Sequence, residues 1–62
     1  MAEPKRLNID FNAQERATER SLLRDLKDAK RFKDVYPARL AEAEENLAEL
    51  YRLVEARYRS EK

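Results

Sequence analysis

Sixty-two residues with 14 basic and 13 acidic side chains, a charged fraction of 44% and a mean hydropathy of −1.00 make one small, polar domain. Cysteine, histidine and glycine are absent, which excludes disulfides, thiolate nucleophiles, the usual zinc sites, imidazole acid–base chemistry and glycine-rich phosphate loops. The near-balance of charge lacks the basic excess of a dedicated nucleic-acid binder, and no apolar run approaches the roughly 18 residues of a membrane span, so the expectation is a soluble, cytoplasmic protein with no cofactor, no metal and no membrane partner.

The first eleven residues stand apart. Lys5-Arg6-Leu7-Asn8-Ile9-Asp10-Phe11 alternates polar and apolar side chains. One reading is an extended segment, a strand with Leu7, Ile9 and Phe11 on one side and Arg6, Asn8 and Asp10 on the other. The other is a frayed tail with a few docking side chains.

Asn12-Ala13-Gln14-Glu15 reads as a helix start. Asn12 can accept from the first turn and Glu15 can reach back to the Asn12 N–H. Helix one is expected over about 13–33, with Ala17, Leu22, Leu23, Leu26, Ala29 and Phe32 as its apolar positions. Before Leu22 the same face carries Glu15, Thr18 and Glu19. That half either extends past its partner into water or faces something polar.

Asp34-Val35-Tyr36-Pro37 breaks the pattern. Proline disfavours a helical residue before it yet fits a first helical turn, which Asp34 can cap. Helix two is expected over about 37–60, roughly 36 Å of helix. The short connection points to an antiparallel hairpin; the rival is one long helix kinked at Pro37.

Within helix two, Leu40, Ala43, Leu47, Leu50 and Val54 recur at steps of three and four, the rhythm of an interhelical seam. A domain this short is marginal alone, and without disulfides or a metal the remaining rescue is oligomerisation. The fold expected is therefore all-α: a helical hairpin that dimerises into a four-helix bundle, its dimer core built from Leu22, Leu26, Ala29, Leu40, Ala43, Leu47, Leu50 and Val54. Tyr51 and Tyr58 should cover the seam edge with their hydroxyls in water, a partner-binding role being the other reading. Arg57 continues the seam as a packed stem with a solvated head.

Two surfaces remain to act. Arg16, Arg20, Arg24, Lys27 and Arg31, with Lys30 beside them, keep to one side of helix one and can follow a phosphate backbone. Plain solvation is the alternative, with Asp28 able to pair with Arg24 and Arg31, and Lys30 with Asp34. Helix two is richer in glutamate: Glu42, Glu44, Glu45, Glu49 and Glu55, a polarity that suits both its macrodipole and ordered self-pairing. A two-helix hairpin has no concave, water-poor pocket for paired carboxylates, so the chain reads as non-catalytic.

Residues 49–58, Glu49-Leu50-Tyr51-Arg52-Leu53-Val54-Glu55-Ala56-Arg57-Tyr58, resemble the second helix of the Rop family of plasmid copy-number RNA-binding proteins, which carries a similar Glu-Leu-Tyr-Arg run and then Ala-Arg-aromatic. The resemblance covers about ten residues and implies an antiparallel hairpin dimer. The family's RNA face uses an Asn, a Phe and a Gln spaced four apart; here Asn8, Phe11 and Gln14 are three apart and straddle the helix start, so that site is not carried over. The segment Lys5 to Phe11 followed by two helices also resembles ribbon-helix-helix repressors, whose paired strands read the DNA major groove. That likeness implies Arg6, Asn8 and Asp10 as the outward positions, although the family's turn glycine is missing and both helices are long. The functional expectation is a small regulatory module that presents helix surfaces to itself and to an unidentified protein partner. The alternative is a nucleic-acid-binding regulator using Arg6, Asn8 and the row on helix one.

Overall fold

Asn12 opens the first helix. Its backbone is extended (φ −76°, ψ 175°), its side-chain oxygen accepts the Glu15 N–H at 2.8 Å, and the Glu15 carboxylate accepts the Asn12 N–H at 2.8 Å. This reciprocal pair satisfies two donors that a helix start leaves open. Helix α1 then runs Ala13–Arg31. The structure, a computed structural model, describes residues 4–61, so residues 1–3 of the expected arm lie outside the described residues.

The apolar pattern extends helix one to about residue 33, but α1 stops at Arg31. Phe32 leaves the helical region (φ −116°, ψ 25°) and its N–H turns back to the Ala29 carbonyl. Its own carbonyl accepts the N–H groups of Val35 at 3.0 Å and Tyr36 at 2.7 Å. Among the described residues no φ is positive, which is how a chain without glycine makes this turn. Asp34 does not cap the second helix as expected. It lies within the turn, two residues before the Tyr36 N-cap, which makes no side-chain cap bond. Pro37 takes the first helical position, where a missing N–H costs nothing, and helix α2 runs Pro37–Ser60.

The two helices pack antiparallel: Glu15 of α1 meets Arg57 of α2, and further along Glu19 meets Tyr51. The hairpin thus replaces the kinked-helix alternative. The molecule is a rod 44 Å long, 20 Å wide and 14 Å thick. Its core joins Leu26 and Ala29 of α1 with Ala43, Leu47, Leu50, Tyr51 and Val54 of α2, and with Phe11 from the segment before α1. Leu7, Ile9, Leu22 and Leu40 pack against it, partly buried.

The N-terminal segment, residues 4–11, forms no strand; it bends at Asn8 and Ile9 and lies back on the open end of the hairpin. Its alternation still decides what is covered. Phe11 is buried and Leu7 and Ile9 half-buried, whereas Arg6, Asn8 and Asp10 are exposed. The arm has a clear packing reason. The first half of α1 offers glutamates instead of large apolar side chains, and Phe11 fills the space over α2 that they leave.

Candidate functional site

The arm is held by a polar cluster that the seam pattern does not announce. Glu19, on the inward face of α1, is only 7% exposed. Its Oε2 accepts the Tyr51 hydroxyl at 2.7 Å and Nε of Arg6 at 2.9 Å. The Arg6 guanidinium also lies 4.3 Å from the centre of the Phe11 ring, a cation–π contact. Phe11 meets Tyr51 edge to face, 6.0 Å between centroids and 82° between planes, the arrangement that ring quadrupoles prefer. Tyr51 is therefore not a rim residue with its hydroxyl in water. It is 6% exposed and its hydroxyl bonds a buried carboxylate.

A second clasp closes the end of the rod. Nε of Arg57 donates to Oε2 of Glu15 at 2.5 Å, and its two terminal nitrogens donate to Glu61 at 2.8 Å and to the Asp10 carbonyl at 2.8 Å. One guanidinium thus ties α2 to α1, to its own last turn and to the arm. The expected solvated head of Arg57 is instead three-quarters covered, with 26% of the side chain exposed. The hydrogen bond from Arg57 is the main cause holding the Glu15 carboxyl below its ordinary range; burial opposes it, and the Asn12 N–H adds to it. The same contact raises the already high pKa of Arg57. So the glutamates on the inward face of α1 do face something polar.

The clasps redistribute the predicted nucleic-acid residues. Arg6 is drawn into the cluster around Glu19, and Asn8 is exposed at a shallow hollow lined by Leu7, Ile9, Glu55, Tyr58 and Arg59. Neither belongs to the row on α1. Arg16, Arg20, Arg24, Lys27 and Arg31 are all exposed. The pairs of Asp28 with Arg24 and Arg31 do not form, and among the described residues no ion pair includes any of these five cations. Arg31 instead lies 5.8 Å from the centre of the Phe32 ring. The arginines near the end of α2 are arranged differently: Arg52 pairs with Glu45 at 3.1 Å and Arg59 with Glu55 at 2.7 Å.

Of the eight residues assigned to a dimer core, Leu26, Ala29, Ala43, Leu47, Leu50 and Val54 are buried within a single chain, and Leu22 and Leu40 are half-buried at its margins. The apolar side chains left open are Leu23, Leu53 and the turn residues Phe32, Val35 and Tyr36. Leu53 is 62% exposed beside a shallow groove lined by Gln14, Thr18, Leu50 and Val54. Successive residues turn about 100° round a helix, so Leu53 points away from Tyr51 and Glu55, the side where the arm lies. Among the described residues no helix is long and apolar enough to cross a membrane, and no cluster of side chains could hold a metal ion.

The key residues Glu19, Tyr51 and Phe11 carried a faint signal in the sequence: two glutamates on an otherwise inward face, and an aromatic at the end of an alternating arm. The resemblances to the Rop and ribbon-helix-helix families rest on the short runs quoted above. No family model matches the chain, and no curated protein or solved structure matches it either.

Proposed function

We propose that this chain is a non-catalytic interaction module that works as a homodimer, with the arm-free side of the hairpin as its self-association surface. One observation carries the reading. Leu53 stands 62% exposed next to the groove of Gln14, Thr18, Leu50 and Val54, on the side that the arm leaves open. Leu22, half-buried, continues that side toward the turn.

The reading moves the dimer contact from the seam to its edge. Leu47 and Val54 are 0% exposed in one chain, so a second copy gains nothing further by covering them. It gains by covering Leu53 and Leu22, and an antiparallel pair of hairpins joined there is a four-helix bundle. A domain of 62 residues has a small core, and covering a further apolar edge is the ordinary way for such a domain to add stability. The outer faces of the helices stay available to another partner.

Sedimentation of the full chain across the micromolar range tests this. A dimer is expected, and Leu53→Glu is expected to return it to monomer with its helicity unchanged by circular dichroism. A folded wild-type monomer throughout that range overturns the reading. So does a dimer that Leu53→Glu leaves intact.

A further inference from the structure

We infer that the outward face of α1 is a binding surface for the phosphate backbone of duplex DNA. Arg16, Arg20, Arg24, Lys27 and Arg31 lie on one side of α1, over 15 residues of rise or about 22 Å. On a duplex strand, at 3.4 Å of axis per phosphate, that length spans about six nucleotides. The net charge of the whole chain, +1, hides this surface because the opposite charge lies elsewhere.

Folding is what exposes the sign. Glu15 and Glu19 are the two acids nearest Arg16 and Arg20 along the chain, and both turn inward. Glu15 is neutralised by Arg57 of α2 and Glu19 by Arg6 of the arm. The counter-charges of the first half of α1 are thus supplied by other elements, and the five outward cations are left without ion pairs among the described residues. On α2 the arrangement differs: Arg52 pairs with Glu45 and Arg59 with Glu55 on their own helix, while Glu42 and Glu49 stay exposed. Among the described residues, the continuous row of cations outside ion pairs therefore lies on α1.

The details of the row select the occupant. Ala13 and Ala17, exposed in and beside it, are small enough for a backbone to approach closely. Single-stranded nucleic acid is held by aromatic platforms interleaved with charge, and α1 contains no aromatic residue. An acidic protein partner would need a cluster of large apolar anchors within the row; the exposed ones near it, Leu23 beside Lys27 and Phe32 against Arg31, stand singly. The major groove of B-form DNA is wide enough to admit a helix, whereas that of A-form RNA is deep and narrow. The row holds no Asn or Gln to read adenine, and its arginines and lysine are assigned to phosphates, so the contact is electrostatic and indifferent to sequence.

This surface is complete in a single chain and does not depend on dimerisation. The test is fluorescence anisotropy of a labelled 20-base-pair DNA duplex titrated with the full chain at several salt concentrations. Five phosphate contacts give a log–log salt slope near −4.5, so affinity should fall about 500-fold between 50 and 200 mM salt. The triple variant Arg20→Gln, Arg24→Gln, Lys27→Gln leaves two contacts and should flatten that fall to about 12-fold. The double variant Arg52→Gln, Arg59→Gln on α2 should bind like wild type. Should the triple variant lose helicity, Arg20→Gln alone decides, with a slope shallower by about one unit. No binding at 50 mM salt overturns the inference. Equal weakening by the α2 variant, or tighter binding to single-stranded DNA or duplex RNA of the same length, also overturns it.

Discussion

The Tyr51 hydroxyl donates to Oε2 of Glu19 at 2.7 Å, and the same oxygen receives Nε of Arg6 at 2.9 Å. One buried carboxylate therefore joins three segments: the arm, α1 and α2. Among the described residues no buried side-chain polar atom lacks a partner, so the cluster is satisfied as it stands. The two donors to Glu19 differ in kind. Tyr51 is 6% exposed, whereas the Arg6 side chain is 53% exposed and can return to water if its partner is lost.

That difference predicts unequal coupling. Tyr51→Phe keeps the ring against Phe11 and removes only the hydroxyl, and is expected to cost about 1.5–3 kcal/mol, the range for a hydrogen bond to a charged group. In double-mutant cycles by chemical denaturation, the Tyr51–Glu19 coupling should exceed the Arg6–Glu19 coupling. The latter should stay within about 1 kcal/mol, as for exposed ion pairs. A larger coupling to Arg6 would show that the arm, not the ring hydroxyl, dominates the cluster.

Acid should loosen the other clasp. Glu15 has its carboxyl held below the ordinary 4.5, chiefly by the hydrogen bond from Arg57. A carboxylate with a lowered folded pKa contributes its stabilisation above its unfolded pKa and loses it as pH falls through the folded value. The melting temperature should therefore be level near neutrality and fall as pH drops below about 4.5. Glu15→Gln should flatten that acid limb. Glu49→Gln, on the exposed side of α2, should leave its shape unchanged.

What could be foreseen was local. The capping box at Asn12 and Glu15 needs residues three apart, and it formed as expected. Helix two needs only its own periodicity and Pro37, and its bounds match. The Glu19 cluster reaches 13 residues back to Arg6 and 32 forward to Tyr51. An inward glutamate signals that some polar partner exists, but periodicity cannot say which one. The turn failed for a related reason: Asp34 is a good capping residue in isolation, but the Phe32 carbonyl collects the turn's N–H groups first and moves the N-cap to Tyr36.

The cap itself gives a contained prediction. Asn12→Ala removes the acceptor for the Glu15 N–H and disturbs the carboxylate that Arg57 also holds. The loss should reach about 2 kcal/mol, the upper end of the range for helix N-caps. Thermal melting of Asn12→Ala beside Asn12→Ser checks it, since serine can still cap and should recover most of the stability. A serine variant as weak as the alanine one would mean that the cap hydrogen bond is not what matters at this position.

Phe11 offers the strongest test that the arm belongs to the core. It is 6% exposed, touches Tyr51 edge to face and lies under the Arg6 guanidinium. Phe11→Ala should cost about 3–5 kcal/mol, as large-to-small changes at buried aromatics do. That is a large share of the roughly 5–15 kcal/mol that holds a whole domain together. Leu23→Ala, at a position 40% exposed on α1, should cost well under half as much, because little of its surface is removed from water. Urea denaturation of the two variants separates the cases. If Phe11→Ala melts like wild type, the arm is a tail that rests on a self-sufficient hairpin. If it melts as predicted, residues 4–11 are a third element of the fold, and the first half of α1 can carry glutamates inward because the arm and α2 answer them.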